Sequence, residues 1–546
     1  MEGLMQDWPL LVHTVLDHAS KYHGDREIVS RTVEGPIHRY TYKDLDRRSR
    51  ALASAATKLG IKKGDIIGTM AWNHYRHMET WYGMMGIGAI AHTLNPRLFP
   101  DQLDYIINHA GDKHFFLDLT FVPILEAIQD RLPTIGSFVI MTDEAHMPET
   151  TLRNTVCYET LIADGDEGFG WPKLDENTAC GMCYTSGTTG NPKGVLYSHR
   201  SNVLHAMATC AGDACNLKST DTVMPVVPMF HANAWSFAFS GPMSGSKMVM
   251  PGGQMDGASI YELLDTEKVT LTAAVPTVWL MLLQHLEQTK DPLPDLERVV
   301  IGGSACPPAM IETFEKNYDT QVIHAWGMTE MSPLGSLCNL KGGLEHLSED
   351  EIWTIKQKQG RPPYCVEMII ADDDGKELPW DGEAFGHLKV RGPAIARAYF
   401  KNEGGEILDD QGFFDTGDVS TIDPYGYMNI TDRSKDVIKS GGEWISSIDL
   451  ENLAVGHPAV AEAAVIGVAH PKWDERPLLI CVLKDGTSAT KDEILTFMDG
   501  KIAKWWMPDD VTFIDEIPHT ATGKISKLTL REKFKDYELP TIQAAE

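Results

Sequence analysis

The stretch Tyr184-Thr-Ser-Gly-Thr-Thr-Gly-Asn-Pro-Lys-Gly194 carries the strongest structural signal in this 546-residue chain. It continues a short apolar run, Thr178 to Thr185, that has the pattern of a buried strand. A strand that leads into a loop of glycines and hydroxyl residues exposes backbone N–H groups, and with the hydroxyls and the Lys193 ammonium these donors suit a polyphosphate. The loop is not a Walker A sequence, because Pro192 stands five residues after Gly187, where that motif needs glycine. The predicted phosphate-binding residues are Thr185, Ser186, Gly187, Thr188, Thr189, Gly190 and Lys193.

The sequence around this loop predicts an α/β fold. Upstream, Leu45 to Leu59 has the apolar spacing of an amphipathic helix, and Phe115 to Leu119 has the pattern of a short buried strand. Downstream, Val299 to Ile301 is another apolar run that a helical pattern follows. Strands that alternate with helices in this way predict helical layers over mostly parallel sheets.

The length of the chain and a change of pattern predict more than one domain. Turn-rich sequence begins near Asp415 and predicts hairpins. After Lys439, a segment of about 110 residues has the pattern of strands and helices of its own. We therefore expect a domain boundary near Asp432 to Lys435.

Composition restricts the class of protein. The chain has 48 Lys and Arg against 77 Asp and Glu, a formal net charge of −29 that disfavours nucleic acid as a main partner. No window of about 18 residues is free of polar residues, so no transmembrane helix is predicted. The N-terminus lacks the basic region and the cleavage site of a signal peptide. We expect a cytoplasmic protein without stable membrane insertion.

The cysteine usage indicates a reducing compartment, because 9 cysteines are scattered without the spacing of a disulfide framework. Cys180 and Cys183 have a CxxC spacing, but they lie within a predicted strand, where positions three apart point to opposite faces. No second cysteine pair follows at the spacing of metal ligands. We interpret both cysteines as structural.

Together with six further motifs in the same order, the loop resembles the adenylate-forming acyl-CoA synthetases, a superfamily that also includes beetle luciferases and peptide synthetase adenylation domains. The resemblance extends over the whole chain. The further motifs are Met229-Phe-His-Ala-Asn-Ala-Trp235, Gly302-Gly-Ser-Ala-Cys-Pro307, His324-Ala-Trp-Gly-Met-Thr-Glu330, Asp415-Thr-Gly-Asp418, the run from Asp432 to Ser446, and Pro518-His-Thr-Ala-Thr-Gly-Lys524.

Taken singly, these motifs leave other interpretations open. A histidine among apolar residues, such as His231, is also typical of a packed core. The Gly302 stretch could be a simple strand-to-helix turn, and Glu330 after Thr329 also fits a helix N-cap.

The resemblance implies an acid site and a nucleotide site in the N-terminal domain. His231 would lie beside the reacting carboxylate and the α-phosphate, and Trp235 would gate an acyl tunnel. Trp326 would stack on adenine, Thr329 would contact the α-phosphate, and Glu330 would hold Mg²⁺ with Thr185. The implied acid-site residues are His231, Ala232, Trp235, Gly302, Gly303 and Pro333. The implied nucleotide-site residues, beyond the phosphate loop, are Gly303, Ser304, Ala305, His324, Ala325, Trp326, Gly327, Met328, Thr329, Asp418, Arg433, Lys435 and Lys524.

The resemblance also implies a mobile C-terminal domain. It divides the chain into an adenylation domain over residues 1–431, a hinge linker over 432–437 with Lys435 as its pivot, and a small α+β lid over 438–546. Asp418 would bind the ribose, and Arg433 the ribose or a phosphate. Lys524 would contact the carboxylate and α-phosphate oxygens during adenylation. The residues implied on the coenzyme A side are Lys439, Gly441, Gly442 and Trp444.

The implied activity is that of an ATP-dependent, AMP-forming acid–CoA ligase, with ATP, Mg²⁺, coenzyme A and a small carboxylic acid as its partners. The resemblance favours 3-methylmercaptopropionate, an acid of dimethylsulfoniopropionate catabolism, and the alternative is a medium- or long-chain fatty acid. A non-catalytic nucleotide-binding regulator is the remaining alternative. Acyl preference would depend on the side chains around Trp235, Pro276 to Trp279, Gly302 to Gly303, and Met331 to Pro333. We expect a homodimer.

Overall fold

The computed structural model describes residues 1, 3–185, 191–440, 443–519 and 525–540, with main-chain positions alone for 443 and 444. These residues form two compact units: Met1–Glu367 with Arg391–Phe414, and Met368–Val390 with Asp415–Glu546. The predicted fold class is confirmed, because both units are mixed α/β structures.

The strands of the first unit build two sheets. They are β1 (Glu27–Arg31), β2 (Ile37–Thr41), β3 (Ile66–Met70), β4 (Ile90–Thr93), β5 (His114–Leu117), β6 (Ser137–Ile140), β7 (Thr155–Cys157), β8 (Ala179–Tyr184), β9 (Gly194–Ser198), β10 (Thr222–Pro225), β11 (Lys247–Met250), β12 (Leu271–Ala274), β13 (Arg298–Ile301), β14 (Gln321–Gly327) and β15 (Leu334–Leu337). One sheet has the order β7-β6-β5-β3-β4-β8-β9, and the other has the order β15-β14-β13-β12-β10-β11-β1-β2.

Both sheets are parallel in their interior, as the alternation of strands and helices predicts. Among the described residues of this unit, antiparallel pairs stand only at sheet ends, between β1 and β2, β8 and β9, and β14 and β15. The predicted runs at Phe115 to Leu119 and Val299 to Ile301 are confirmed as strands β5 and β13. The sequences of buried parallel strands are continuous apolar runs, because helices cover both faces of the sheet.

The helices of the first unit are α1 (Val12–Tyr22), α2 (Tyr42–Lys58), α3 (Tyr75–Gly86), α4 (Pro100–Ala110), α5 (Val122–Ile128), α6 (Tyr158–Ala163), α7 (His199–Cys210), α8 (Phe237–Ser244), α9 (Gly257–Thr266), α10 (Pro276–Thr289), α11 (Pro308–Asn317) and α12 (Glu349–Lys356). Helix α2 confirms the helix predicted at Leu45 to Leu59, and it begins at a capping box in which Thr41 and Asp44 exchange hydrogen bonds. None of the helices in the described ranges has the length and apolarity needed to cross a membrane.

The largest core of the first unit lies where α3, α7 and α8 pack together with strands of both sheets. Trp81 of α3 and Phe239 of α8 are fully buried there, with ring centroids 5.6 Å apart. The residues that precede α8 pack into the same core, so the segment around Trp235 is anchored on its buried side.

The second unit contains a sheet of four strands, in the order β16 (Glu367–Ala371), β17 (Phe385–Arg391), β18 (Phe414–Ile422) and β19 (Met428–Arg433). Its second sheet comprises β20 (Ile438–Ser440), β21 (Glu443–Ile445), β22 (Val460–His470), β23 (Asp474–Leu483) and β24 (Asp510–Phe513). The helices α13 (Ser447–Val455), α14 (Lys491–Met498) and α15 (Lys527–Lys533) complete the unit.

The compact units divide the chain differently from the domains that the sequence predicts. The hairpin of β18 and β19 groups with the C-terminal segment, since the Ser446 hydroxyl donates to the Thr431 carbonyl and the Ser447 N–H donates to Asp432 Oδ2 at 2.7 Å. These bonds join β19 to the start of α13. The predicted hinge at 432–437 begins at Asp432, within this junction, and stays a prediction.

Candidate active site

The predicted phosphate loop is closed at its base by the antiparallel pair β8 and β9. The Thr185 N–H donates to the Lys193 carbonyl at 2.9 Å, and the Lys193 N–H donates to Thr185 Oγ1 at 3.2 Å. Residues 186–190, which comprise most of the predicted phosphate-binding residues, lie outside the described residues. The two described ends of the loop therefore stand side by side, with the Thr185 hydroxyl bonded to the main chain of Lys193.

Tyr399 brings the phosphate loop and Glu330 together. The Lys193 ammonium lies 4.9 Å from the centre of the Tyr399 ring, and the Tyr399 hydroxyl donates to Glu330 Oε1 at 2.6 Å. Burial and the neighbouring Glu330 carboxylate raise the pKa of Tyr399, so its hydroxyl keeps its proton and remains a donor. A cation and a buried carboxylate thus flank one ring at the base of the loop.

The segment that carries Tyr399 is fixed against the loop around Glu330 by main-chain bonds. The Ala396 N–H donates to the Glu330 carbonyl at 2.8 Å, and the Ser332 hydroxyl donates to the Ala394 carbonyl at 2.8 Å. Sequence reasoning missed Tyr399. Its only sequence signal is an aromatic residue with a polar tip in an apolar stretch, which needs a partner when buried.

The donors around Glu330 fit a magnesium ion that also binds nucleotide phosphates. Glu330 is 6% exposed and supplies a carboxylate, and Thr185 supplies a hydroxyl at the base of the loop. Within the described ranges, no cluster of three or more His, Cys, Asp or Glu could hold a metal ion by itself. Mg²⁺ in nucleotide enzymes takes one or two carboxylates and completes its coordination with phosphate oxygens and water, so it does not need such a cluster.

A left-handed turn follows His231. Five successive residues have positive φ angles, with Ala232 at 42°, Asn233 at 58°, Ala234 at 50°, Trp235 at 49° and Ser236 at 73°. This conformation costs about 1–2 kcal/mol for each residue other than glycine, and such strain persists only where the surrounding structure enforces it. The turn leaves His231 half-buried and directs Trp235 into the core, where it is 5% exposed.

Asn73 fixes the segment that leads to His231. Its side-chain NH₂ donates to the carbonyls of Pro225 at 2.8 Å and Val227 at 2.9 Å, and its Oδ1 accepts from the Met229 N–H at 2.6 Å. This buried residue at the end of β3 was missed, because sequence alone does not show which distant backbone an asparagine will bond.

Trp235 lies against the predicted glycine turn. A Cβ added to Gly302 would be 2.8 Å from the Ala325 carbonyl oxygen and 3.3 Å from the Trp235 ring. Gly303 has a φ of +84°, and its Cβ would be 2.9 Å from a methyl group of Val275. The structure thus brings Trp235, Gly302 and Gly303 together. The absence of side chains on the two glycines leaves room for the indole and for a neighbouring strand. Ala232 and Pro333 are also buried, Ala232 in the same turn as Trp235 and Pro333 just before β15.

His324 anchors the same glycine turn through its side chain. Its Nδ1 lies 3.0 Å from the Gln357 carbonyl, and its Nε2 lies 3.4 Å from the Cys306 N–H, so the network assigns the proton to Nδ1. Burial lowers the pKa of His324 to about 4, so the ring is neutral. Both ring nitrogens are engaged by main chain, and a role in nucleotide binding stays a prediction.

Trp326 is buried against strand β15, where Gly335 gives it room. A Cβ on Gly335 would be 2.5 Å from the Trp326 ring. The other predicted nucleotide-site residues of the two loops surround these strands: Ser304 is exposed, and Ala305, Gly327, Met328 and Thr329 are half-buried. Stacking of Trp326 on adenine stays a prediction.

Asp418 and Arg433 form an ion pair in the second unit. They are register partners in β18 and β19, and Arg433 Nε lies 2.8 Å from Asp418 Oδ1. Lys435 and Lys439 are exposed, and Lys439 pairs through its main chain with Trp444 across β20 and β21. Gly441, Gly442 and Lys524 lie outside the described residues, as does the side chain of Trp444.

Comparisons with known proteins identify the family. A family model described as AMP-binding enzyme matches residues 16–400, and one described as AMP-binding enzyme C-terminal domain matches residues 449–524. The 3-methylmercaptopropionyl-CoA ligase of Ruegeria lacuscaerulensis is 51% identical, over 98% of this chain and 99% of that protein. The medium-chain-fatty-acid–CoA ligase of Ectopseudomonas oleovorans is 47% identical, over 98% of each protein.

A solved structure shares the fold at lower identity. The anthranilate CoA ligase AuaEII in complex with anthranoyl-AMP superposes with a TM-score of 0.85 at 23% identity, over 99% of this chain and 100% of that one. The family models and the close relatives cover nearly the whole chain, in the order that the motifs indicate. The chain therefore belongs to the AMP-binding enzymes, within the acyl-CoA synthetase branch of the adenylate-forming superfamily.

Proposed function

We propose that the protein is an ATP-dependent, AMP-forming acid–CoA ligase whose preferred substrate is 3-methylmercaptopropionate or another short- to medium-chain acid. The observation that carries the reaction class is the arrangement of Lys193, Tyr399 and Glu330 at the base of the phosphate loop. The 51% identity to a 3-methylmercaptopropionyl-CoA ligase supports the substrate, and with it a place in dimethylsulfoniopropionate catabolism.

The chemical problem is that a carboxylate is a poor acceptor for a thiol. In the proposed first step, a carboxylate oxygen of the acid attacks the α-phosphorus of ATP and pyrophosphate leaves, which gives a mixed anhydride of the acid and AMP. In the second step, the thiol of coenzyme A attacks the acyl carbon and AMP leaves. Both steps depend on placement and charge more than on acid–base chemistry.

Repulsion between two anions opposes the first step, because the carboxylate and the triphosphate are both negatively charged. Lys193 supplies a positive charge at the base of the phosphate loop, and the loop supplies backbone donors. Glu330 and Thr185 would hold Mg²⁺, which when bound offsets phosphate charge. Tyr399 keeps the Glu330 carboxylate oriented by donating a hydrogen bond to one of its oxygens.

We propose that His231 and Trp235 form the acid side of the site. The strained turn holds the two residues in fixed relation, and the contact of Trp235 with the Gly302 turn would close one wall of an acyl pocket. A closed wall favours a short acid, because a long chain would have to displace a buried indole.

The second unit would supply the remaining groups. We propose that Asp418 and Arg433 bind the ribose side of the nucleotide, that Lys524 enters the site for adenylation, and that rotation about Lys435 then presents Lys439, Gly441, Gly442 and Trp444 for the attack by coenzyme A. The second unit would thus present one face to the site for adenylation and another face for thioester formation, so that one small site carries out two different steps.

The test is direct detection of products. The enzyme would be incubated with ATP, Mg²⁺, coenzyme A and a panel of acids from acetate to palmitate, with 3-methylmercaptopropionate and its all-carbon counterpart pentanoate as a matched pair. Mass spectrometry would measure thioester and AMP. We expect the highest kcat/KM for the sulfur acid and its neighbours in length. Absence of AMP with every acid would contradict the ligase proposal.

A fatty acyl-CoA ligase is the second candidate function. The 47% identity to a medium-chain-fatty-acid–CoA ligase favours it. It requires Trp235 to leave the Gly302 turn, so that a long chain can pass. Values of kcat/KM that rise steadily toward palmitate would establish this function in place of the first.

We also propose a cytoplasmic homodimer. All nine cysteines are free thiols, which fits a reducing compartment. Light scattering of the purified protein would measure its mass, and about twice 60.5 kDa is the expected value.

A further inference from the structure

A buried sulfur atom lies beside the segment that leads to His231 and its left-handed turn. It belongs to Cys183, one residue before the end of β8. Thr93 Oγ1 lies 3.1 Å from the same sulfur and 3.3 Å from the Phe230 carbonyl. Cys183 is therefore linked through Thr93 to the residue before His231, although its place in the sequence predicts a purely structural cysteine.

The same sulfur meets Tyr197 of β9, whose hydroxyl reaches a second loop of the site. Tyr197 packs in the same small buried cluster as Cys183, and its hydroxyl donates to the Thr329 carbonyl at 2.6 Å. Because the Thr93 hydroxyl donates its single proton to the Phe230 carbonyl, the Cys183 S–H must donate to Thr93 Oγ1. The contacts thus run from Phe230 through Thr93, Cys183 and Tyr197 to Thr329, which precedes Glu330.

These contacts join segments that are far apart in sequence. The strand before the phosphate loop carries Cys183, the strand after it carries Tyr197, and the two residues lie on the same short hairpin. That hairpin stands between the acid side of the site, at His231, and the phosphate side, at Thr329 and Glu330. A displacement of one side would be transmitted to the other through the buried contacts of Cys183 and Tyr197.

We propose that Cys183 and Tyr197 are positioning residues that set the His231 turn and the Thr329–Glu330 loop in register for adenylation. The inference rests on the proposed function, in which the acid and the α-phosphate meet between these two segments. Adenylation needs both segments at once, whereas thioester formation from a preformed acyl-adenylate starts after the two substrates have been joined. The pair therefore acts on the first half-reaction.

The test compares the two half-reactions in Tyr197→Phe, Cys183→Ala, Cys183→Ser and the double variant Cys183→Ala/Tyr197→Phe. Acid-dependent exchange of labelled pyrophosphate into ATP measures adenylation, and thioester formation from supplied acyl-AMP and coenzyme A measures the second step. Cys157→Ala is the matched control, because Cys157 is a buried thiol that donates to a carbonyl at the opposite edge of the same sheet.

We expect the exchange rate of Tyr197→Phe and of Cys183→Ala to fall about tenfold, the loss that removal of one well-placed hydrogen bond produces. Thioester formation from supplied acyl-AMP should stay within about twofold of wild type. Cys183→Ser should keep most of the exchange rate, since a hydroxyl replaces the thiol as donor and acceptor. The double variant should lose no more than the worse single variant, because both substitutions break the same connection.

Three results would overturn the inference: equal loss in both half-reactions, losses that multiply in the double variant, or wild-type exchange in Tyr197→Phe. A lowered melting temperature with an unchanged ratio of the two half-reactions would also overturn it, since that is the signature of a merely structural role. If Tyr197→Phe fails to fold, a Cys183→Ala variant with an unchanged ratio decides against the proposal. Failure of wild type to exchange pyrophosphate would instead contradict the proposed function itself.

Discussion

At the scale of single residues, the structure shows side chains that orient the proposed reactive groups. Tyr399 is the clearest example, because its hydroxyl is the donor that orients the buried Glu330 carboxylate. A carboxylate that loses such a donor gains rotational freedom and a different affinity for metal. Tyr399 should therefore control the use of Mg²⁺ without contacting the acid.

We predict that Tyr399→Phe lowers the rate of pyrophosphate exchange about tenfold and raises the Mg²⁺ concentration needed for half-maximal rate, because the oriented carboxylate is lost. The measurement is a magnesium titration of the exchange reaction. Tyr364→Phe is the control, since Tyr364 is 92% exposed. An unchanged magnesium dependence in Tyr399→Phe would show that the hydroxyl does not support a metal ligand.

His324 provides a second prediction at this scale, on stability against pH. Its pKa is lowered to about 4 in the folded protein, whereas an unfolded histidine has a pKa of about 6.5. The unfolded chain therefore binds an extra proton between these values. The contribution of the neutral His324 to the free energy of unfolding is fully present above about pH 6.5. It is lost as the pH falls toward 4, by up to about 1.4 kcal/mol per pH unit.

The measurement is the melting temperature at several pH values between about 7 and 5, in wild type and in His324→Gln. Burial also lowers the pKa of His199 and His205 to about 4, so wild type should show a steep decline. The variant should be less stable at neutral pH but should decline less steeply. A wild-type melting temperature that does not change over this range would refute the assignment of neutral, buried histidines.

Sequence reasoning predicted the candidate reactive groups of the site but not the residues that hold them. Lys193, His231 and Glu330 stand in motifs whose residue types already indicate their chemistry. Tyr399 and Asn73 act through hydrogen bonds to backbone and side chains more than 60 positions away. A local pattern does not contain the identity of such partners, and a buried polar residue in an apolar stretch gives only the expectation that some partner exists.

At the scale of elements, local sequence patterns predict the regular strands and helices but not the irregular turn. Strands β5 and β13 and helix α2 lie where apolar spacing places them. The turn at Ala232–Ser236 has no such signal, because Ala-Asn-Ala-Trp-Ser contains only one residue that tolerates left-handed φ angles. Bonds from outside the turn must therefore enforce its shape, and among these is the bond from Asn233 to Asn202 of α7 at 3.3 Å.

The contact between this turn and the Gly302 turn leads to a prediction on substrate length. We predict that Trp235→Ala raises the ratio of kcat/KM for octanoate to that for 3-methylmercaptopropionate by at least about tenfold, because the removed indole frees space for methylene groups worth about 1–3 kcal/mol each. The variant should also lose about 3–5 kcal/mol of stability through the cavity it leaves.

The measurement is the acid panel used for the wild-type enzyme, read as thioester formed. Trp380→Ala serves as the control, since Trp380 is a partly exposed tryptophan of the second unit. A ratio that does not change in Trp235→Ala would show that another part of the chain sets the length limit, with the segment from Pro276 to Trp279 as the next to examine.

At the scale of the whole molecule, the fold class could be predicted because two properties coincide. Strands alternate with helices along most of the chain, and the motifs follow the order of one family. The division into units was harder to predict, since the sequence pattern changes near Asp415 and again after Lys439. The bonds from Ser446 and Ser447 back to β19 decide which segment the hairpin of β18 and β19 joins in this conformer.

The last prediction concerns the proposed rotation of the second unit between the two half-reactions. We predict that Lys524→Ala lowers pyrophosphate exchange by about 100- to 1,000-fold, the loss expected when a preorganised cation is removed from a phosphoryl transition state. Thioester formation from supplied acyl-AMP should stay within about threefold of wild type, because the lysine is proposed to have left the site by then.

The control for this variant is Lys535→Ala, a substitution of an exposed lysine beyond α15 in the same unit. It should leave both half-reactions unchanged, which separates the role of Lys524 from a general loss of positive charge in the lid. Equal loss of both half-reactions in Lys524→Ala would mean that the lysine serves one fixed arrangement throughout. The rotation about Lys435 would then be unnecessary, because a single orientation of the lid would have to serve both the attack of the carboxylate and that of the thiol.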